Sequence, residues 1–249
     1  MKKVILLIVI LLSIKYDGLA DEPYWAFNTA FGLEFFGTSH KDLGIIRATT
    51  LNEFRGKTND IGSSFNLSFM PEYYLTNRFS FATGLRVSRT KSNYKPGIGK
   101  FLYFKSREDG YDTYYYRIES IEEKSIYVGI PLEFRFTIRG SHRPTPYVRL
   151  GATPSFRCTT ALMVKEYHQK KSQSSFTGIN TKKIPQPDKF IAPVYFAAGF
   201  QFGHEDAYCV EITFPYIVEG GSISGLQDCG NLGGGLQLTY QFSKIKQKD

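Results

Sequence analysis

The sequence predicts an all-β fold, an eight-stranded antiparallel transmembrane β-barrel of the up-and-down type, with long extracellular loops and short periplasmic turns. Eight stretches alternate large apolar side chains with small or polar ones, which is the period of a strand with two different surroundings. The connections between these stretches are alternately short and long, as in outer-membrane barrels. Beyond residue 20 no apolar run is long enough for a transmembrane helix, so the chain would enter a membrane as strands.

The first 20 residues have the composition of a secretory signal peptide. Lys2 and Lys3 form a basic start, an apolar core follows over residues 4–14, and Gly18-Leu19-Ala20 supplies the small residues of a cleavage site. An uncleaved anchor is the alternative, but the apolar core is shorter than the roughly 20 residues that a spanning helix needs. We therefore expect a signal peptide at 1–20 and a single outer-membrane β-barrel domain at 21–249.

The eight predicted strands follow from the alternation. The first places Phe27, Phe31 and Phe35 on one face and Asn28, Gly32 and Glu34 on the other. The same pattern predicts strands at residues 25–36, 64–74, 79–88, 126–136, 147–156, 190–202, 208–216 and 232–242.

Side-chain volume indicates which face looks inward. A soluble, lipocalin-like barrel would place the large apolar residues inside, but eight strands enclose a space only just wide enough for side chains to fill. The other face is rich in small residues such as Ala30, Gly129, Gly151 and Gly199, which suit a crowded interior. The large apolar face is therefore predicted to contact lipid.

The short connections define the periplasmic end of the predicted barrel. They follow the second, fourth and sixth strands, at residues 75–78, 137–146 and 203–207, and this order leaves both termini in the periplasm. Aromatic residues gather at the same end, as in an interfacial girdle. They are Tyr24, Trp25, Tyr73, Phe79, Phe136, Tyr147, Phe202, Tyr208, Tyr240 and Phe242.

Charged residues occur on the predicted inward face, where a narrow lumen tolerates them only as pairs. We expect ion pairs and hydrogen bonds among them to plug the lumen; a narrow gated pore remains the alternative. The members of this barrel-interior charge network are Glu34, Glu72, Arg86, Glu133, Arg135, Arg149 and Glu211.

The second long loop, residues 89–125, contains Asp109-Gly110, a strong hairpin signal, and predicts a β-ribbon that extends the third and fourth strands. Its tyrosines either form a binding surface or pack the ribbon, and the sequence favours neither reading. They are Tyr94, Tyr103, Tyr111, Tyr114, Tyr115 and Tyr116. Of the three cysteines of this exported chain, Cys158 and Cys229 fall near the outer rim and are predicted to pair, whereas Cys209 lies near the opposite end.

The chain carries a formal charge of +8, and much of its basic excess lies between residues 157 and 189. In an exported protein this excess predicts a solvated loop, or contact with outer-membrane lipid and lipopolysaccharide, rather than nucleic acid. Catalytic residues, a metal site and a cofactor are not predicted, because two histidines fall in short turns and no metal-ligand spacing or phosphate-binding glycine loop occurs. Envelope or secretion proteins remain as candidate partners.

Four segments carry a resemblance to a known family. Residues 70–79 (MPEYYLTNRF), 128–133 (VGIPLE), 146–151 (PYVRLG) and 235–242 (GLQLTYQF) resemble the outer-membrane β-barrel domain family of small "porin family" proteins. The resemblance implies a Gram-negative cell-envelope barrel over the whole mature chain. Its relatives include PorT-like accessory barrels of a protein secretion pathway. The tail at 243–249 departs from the family pattern, which ends on an aromatic residue.

These observations predict a non-enzymatic outer-membrane barrel with a plugged lumen and a structural or surface-binding role through its extracellular loops. A narrow porin-like channel for small solutes and an accessory barrel of a secretion apparatus are the two alternatives.

Overall fold

The computed structural model describes residues 24–40, 46–48, 60–76, 78–94, 102–108, 112–138, 144–166, 186–203, 206–217, 224–225 and 227–246. The predicted signal peptide lies outside these residues. Within the described part of the chain, no helix is long and apolar enough to cross a membrane.

The described residues form strands almost throughout. The strands are β1 (Tyr24–His40), β2 (Ile46–Ala48), β3 (Asp60–Tyr74), β4 (Phe79–Thr83), β5 (Leu85–Tyr94), β6 (Leu102–Glu108), β7 (Asp112–Gly129), β8 (Leu132–Thr137), β9 (Thr145–Ala152), β10 (Ser155–Glu166), β11 (Phe190–Ile191), β12 (Pro193–Phe202), β13 (Ala207–Ile217) and β14 (Gln227–Lys246).

These segments make a closed barrel of eight strands, as predicted. Four barrel strands consist of two segments each, namely β4/β5, β7/β8, β9/β10 and β11/β12. Each barrel strand pairs antiparallel with the next along the chain, and β1 pairs with both β3 and β14. Closure therefore leaves no free sheet edge along the barrel wall.

The extension predicted over residues 89–125 is present as an antiparallel pair. β6 pairs with β7 from Leu102 opposite Ile118 to Glu108 opposite Asp112, and β2 adds a third strand beside β6. The Asp109-Gly110 turn itself lies outside the described residues.

The observed strands are longer than the predicted ones at the long-loop end. β3 begins at Asp60 rather than at 64, β7 begins at Asp112 rather than at 126, and β10 continues to Glu166. Alternating hydrophobicity marks only the part of a strand that separates two different environments, whereas backbone pairing continues beyond it. The alternation therefore located the apolar band but missed the extensions of β3 and β10, whereas the extension of β7 was predicted separately from the Asp109-Gly110 turn signal.

The two faces of the barrel wall differ as predicted. Outward-facing residues are large and apolar, and Phe134 and Leu236 are each 60% exposed. Most inward-facing residues are buried and are either small, such as Ala30 and Ala197, or polar, although Met70 and Ile121 are larger and apolar. This inversion of a soluble protein's pattern is typical of a barrel that crosses a membrane as strands.

The aromatic girdle needs two corrections, the first of which is that Tyr24 shares the inward parity of Ala26 and stacks on the buried Tyr74 ring at 4.4 Å. Trp25, Tyr208 and Tyr240 are exposed near the short-turn end, but Tyr147 is buried in the lumen, where its hydroxyl donates to Glu211. Tyr147 shares the inward parity of Arg149, two residues away on β9. The predicted height of Tyr147 near the short-turn end is therefore correct, but its parity along β9 places it on the inward face rather than on the outer surface.

The stability lost when a charge is placed on the outer surface should depend on its distance from the bilayer midplane. Ile212 lies at the middle of β13 and Tyr208 at its short-turn end, and both are exposed. In lipid vesicles, Ile212→Arg should lower the free energy of unfolding by about 2–4 kcal/mol and Tyr208→Arg by about 0–1 kcal/mol, because a cation costs most at the bilayer midplane. Denaturant titration measures both. Equal losses would contradict a membrane-spanning β13.

Candidate functional site: the charged barrel lumen

The lumen gathers charged side chains that are distant in sequence. Glu133 and Glu211 are 1% exposed, and Arg86, Arg135 and Arg149 are 5–6% exposed. Glu72 is also buried, whereas Glu34, nearer the long-loop end, is partly exposed. Groups this deeply buried are stable as ions only with partners close by.

The pairing of β8 with β9 brings two buried arginines together. It places Arg135 directly opposite Arg149, an unfavourable position for two like charges. The two guanidinium groups turn to different carboxylates. Arg149 binds Glu133 and Glu211, while Arg135 lies 3.9 Å from Glu72.

Glu133, on β8, bonds to side chains on three other barrel strands. Its Oε1 accepts from Nη2 of Arg86 at 2.8 Å and from the hydroxyl of Tyr195, and its Oε2 accepts from Nη1 of Arg149 at 2.5 Å. Nη2 of Arg149 donates in turn to Oε1 of Glu211. A continuous chain of ion pairs, Arg86–Glu133–Arg149–Glu211, therefore crosses the lumen from β5 to β13.

A second group surrounds Glu72. This carboxylate accepts hydrogen bonds from Asn28 at 2.5 Å, from Ser80, and from Gln241 at 3.3 Å. Arg135 donates to Gln201 at 2.6 Å. These bonds link strands on both sides of the β1–β14 closure, so Glu72 is held by more than its ion pair.

Two lumenal tyrosines complete the network. The guanidinium carbon of Arg135 lies 3.8 Å from the centre of the Tyr147 ring, and that of Arg86 lies 5.1 Å from the Tyr195 ring. Gly151 makes room for Tyr195, since a Cβ there would lie 2.5 Å from the ring's Cζ. Tyr195 was not among the residues predicted to act in the lumen, although its position in the alternation of β12 indicates that it faces inward.

Little open space remains among these groups. One cavity of about 40 Å³ is lined by Glu34, Arg86 and Tyr195, and another of about 10 Å³ lies near Glu72 and Cys209. One water molecule needs about 10–15 Å³ of such space. The cavities therefore have room for a few waters.

A further buried carboxylate, missed by the sequence analysis, lies at the long-loop end. Glu123 accepts hydrogen bonds from the Ser224 hydroxyl at 2.5 Å, from Ser92 at 3.3 Å and from the Gly225 backbone N–H at 3.2 Å. Burial raises the pKa of Glu123, and the Ser224 bond opposes that rise. Tyr127 and Ser125 face the lumen, and the same alternation, continued by two more residues, would have placed Glu123 there as well.

The tyrosines of the second long loop are described only by their backbone. Tyr103 lies in β6, Tyr114, Tyr115 and Tyr116 lie in β7, and Tyr94 ends β5. Tyr111 and the side chains of the other five lie outside the described residues, so a binding surface there stays a prediction.

The predicted pairing of Cys158 with Cys229 is not formed in the structure. Cys158 is a free, exposed thiol on β10. Cys229 lies on β14, and two barrel strands, β11/β12 and β13, separate β10 from β14. A disulfide needs Cα atoms within about 7 Å, and neighbouring strands are already about 4.8 Å apart. Cys209 is buried and free, within 3.8 Å of Arg135.

Among the described residues, no group of three or more His, Cys, Asp or Glu side chains could hold a metal ion. The buried polar groups bind one another rather than surrounding an open cleft.

No protein-family model matches the chain, and no curated protein matches it. Among solved structures, the chain is similar to Neisserial surface protein A, at 10% identity and a TM-score of 0.39, over 89% of this chain and 99% of that one. It is also similar to the attachment invasion locus protein Ail of Yersinia pestis, at 11% identity and a TM-score of 0.27, over 89% and 100% of the two chains. Likenesses at these TM-scores carry no argument about function.

Removing a shared carboxylate should be far costlier than removing an exposed one. Glu133→Ala would leave Arg86 and Arg149 without a common partner, and breaking a buried pair costs about 3–5 kcal/mol. Glu122→Ala is the matched control, because Glu122 pairs with Lys91 and Lys124 on the outer surface, where pairs contribute about 0–1 kcal/mol. Denaturant unfolding in vesicles measures both losses. Similar losses would contradict the central role of Glu133.

Proposed function

We propose that this chain is a non-enzymatic barrel of the bacterial outer membrane, with a closed lumen and a structural or surface-binding role through its extracellular loops. The observation that carries the proposal is the chain of ion pairs Arg86–Glu133–Arg149–Glu211, which crosses the lumen. A wall braced in this way is a rigid support for the longer connections above it.

Placement in the outer membrane rests on the apolar exterior and on the asymmetry of the connections. A barrel with a polar interior and a lipid-compatible outer band is the form in which strands span a membrane. The predicted signal peptide at 1–20 fits this placement, which in turn implies periplasmic termini and a Gram-negative cell envelope. Membership of the small porin-family barrels rests on the motifs at 70–79, 128–133, 146–151 and 235–242.

Closure of the lumen is supported by burial and by shared bonding. A water-filled pore would leave its charged lining solvated, whereas the guanidinium groups of Arg86, Arg135 and Arg149 are nearly inaccessible and bind carboxylates on other strands. Moving Arg135 would leave Glu72 without its ion pair, and moving Arg149 would leave Glu211 without its ion pair. The arrangement favours a plug over a narrow channel for solutes.

The extracellular loops are the surface that a partner would bind. The β2–β6–β7 extension carries the backbone of four tyrosines beyond the barrel wall. An accessory role in a secretion apparatus is the alternative that keeps the same architecture. Crosslinking in intact cells separates the two, because an accessory barrel would be recovered with a discrete set of secretion proteins.

Ion conductance tests the closed lumen. The purified barrel in planar bilayers should show no steady conductance, because the ion pairs occupy the lumen. Lys91→Ala, which removes a charge from the outer surface, should behave like the parent protein. A steady conductance that is abolished by substituting Arg149 would overturn the plug and identify a narrow pore.

A further inference from the structure

A group of cations lies on the outer surface at the edge of the apolar band. On β5 the outward positions run Leu85, Val87, Arg89 and Lys91, all exposed, so the surface changes from apolar to basic within one strand. On the neighbouring strand β7, Ile126 is followed at the next outward position towards the long-loop end by Lys124.

Arg89 marks the level at which this change occurs. Pairing places it directly opposite Phe65 on β3 and opposite Ile126 on β7, and both neighbours are exposed and apolar. A cation on the lipid-facing surface is tolerated near the interface and costly at the midplane. Arg89 therefore lies at the height of lipid headgroups, with apolar surface on both sides.

The next outward position holds an unfavourable arrangement. Lys91 lies directly opposite Lys124, and like charges so placed destabilise a sheet. Glu122 binds both lysines, at 2.7 and 3.1 Å, and the hydrogen bond from Lys91 lowers the pKa of Glu122. No ion pair joins Arg89 to another described residue. Of the three cations, only the two lysines share this carboxylate.

We propose that Arg89, Lys91 and Lys124 bind a phosphate group of a phosphorylated lipid in the outer leaflet. A phosphate would relieve the repulsion between the paired lysines, and two of its oxygens could accept charge-assisted hydrogen bonds from the planar guanidinium of Arg89. The site favours a lipid over a soluble anion because Val87 and Ile126, directly below it, offer apolar surface to acyl chains. This inference rests on the proposed surface-binding role and names the chemistry of one ligand.

Binding of lipid A with and without its phosphates tests the site. The full barrel in detergent micelles is titrated with diphosphorylated lipid A and, separately, with the same lipid after enzymatic dephosphorylation, and native mass spectrometry counts the bound lipid. The phosphorylated form should bind preferentially. Since a basic residue near an anionic surface contributes about fivefold in affinity, the triple change Arg89→Gln, Lys91→Gln and Lys124→Gln should weaken binding by about a hundredfold.

Two single variants serve as controls, one for the charge at the site and one for the location of the cation. Glu122→Gln frees both lysines and should tighten binding about fivefold. Arg78→Gln removes a cation from the short turn that precedes β4, at the opposite end of the barrel, and should leave binding unchanged. Heat-modifiable gel mobility verifies that each variant is folded.

Several outcomes would overturn the inference. They are equal binding of the two lipid forms, a loss on Arg78→Gln as large as that of the triple change, or competition by free inorganic phosphate as strong as competition by the lipid. Conductance is measured on the same preparations. A conducting barrel that still binds the phosphorylated lipid would refute the closed lumen and leave the lipid site standing, and the reverse pattern would refute the lipid site alone.

Discussion

Charges inside an eight-stranded barrel must be paired, and the rest of this structure depends on that constraint. The lumen is too narrow to solvate an isolated ion, so every buried guanidinium has to find a carboxylate across the barrel. Arg149 does so by binding Glu133 and Glu211, which lie on β8 and β13. Because Arg149 itself lies on β9, its bonds fix the relative positions of segments that belong to different hairpins.

The small residues of the wall follow from the size of the groups that cross the lumen. Gly151 lies beneath the Tyr195 ring, whose hydroxyl binds Glu133. Gly199 lies against Glu211 on the paired strand, and a Cβ there would approach the Glu211 Cβ to 2.6 Å. Glycine at these positions is a consequence of packing. The same reasoning explains why the large apolar residues are displaced to the outside.

The sequence could predict the period, the inward parity and the height of most lumenal residues, and these suffice for the barrel and its charged layers. They do not give the position of a side chain around the barrel, which depends on strand register. Parity alone could not show that Arg135 faces Arg149 or that Arg149 would bind Glu211. Height alone suggested a bridge from Cys158 to Cys229, although two barrel strands separate β10 from β14. Glu123 was missed because the alternation of apolar residues that revealed this strand begins at residue 126, whereas β7 itself begins at Asp112.

The coupling energy between Arg149 and Glu211 tests the central role of the lumenal ion pairs most directly. A double-mutant cycle with Arg149→Ala, Glu211→Ala and the double variant, unfolded in lipid vesicles, isolates this interaction from the separate cost of each substitution. The paired-lumen account predicts that the double variant loses less stability than the sum of the single losses, by about 1–3 kcal/mol. Strictly additive losses would show that the two charges do not depend on each other and would contradict the account.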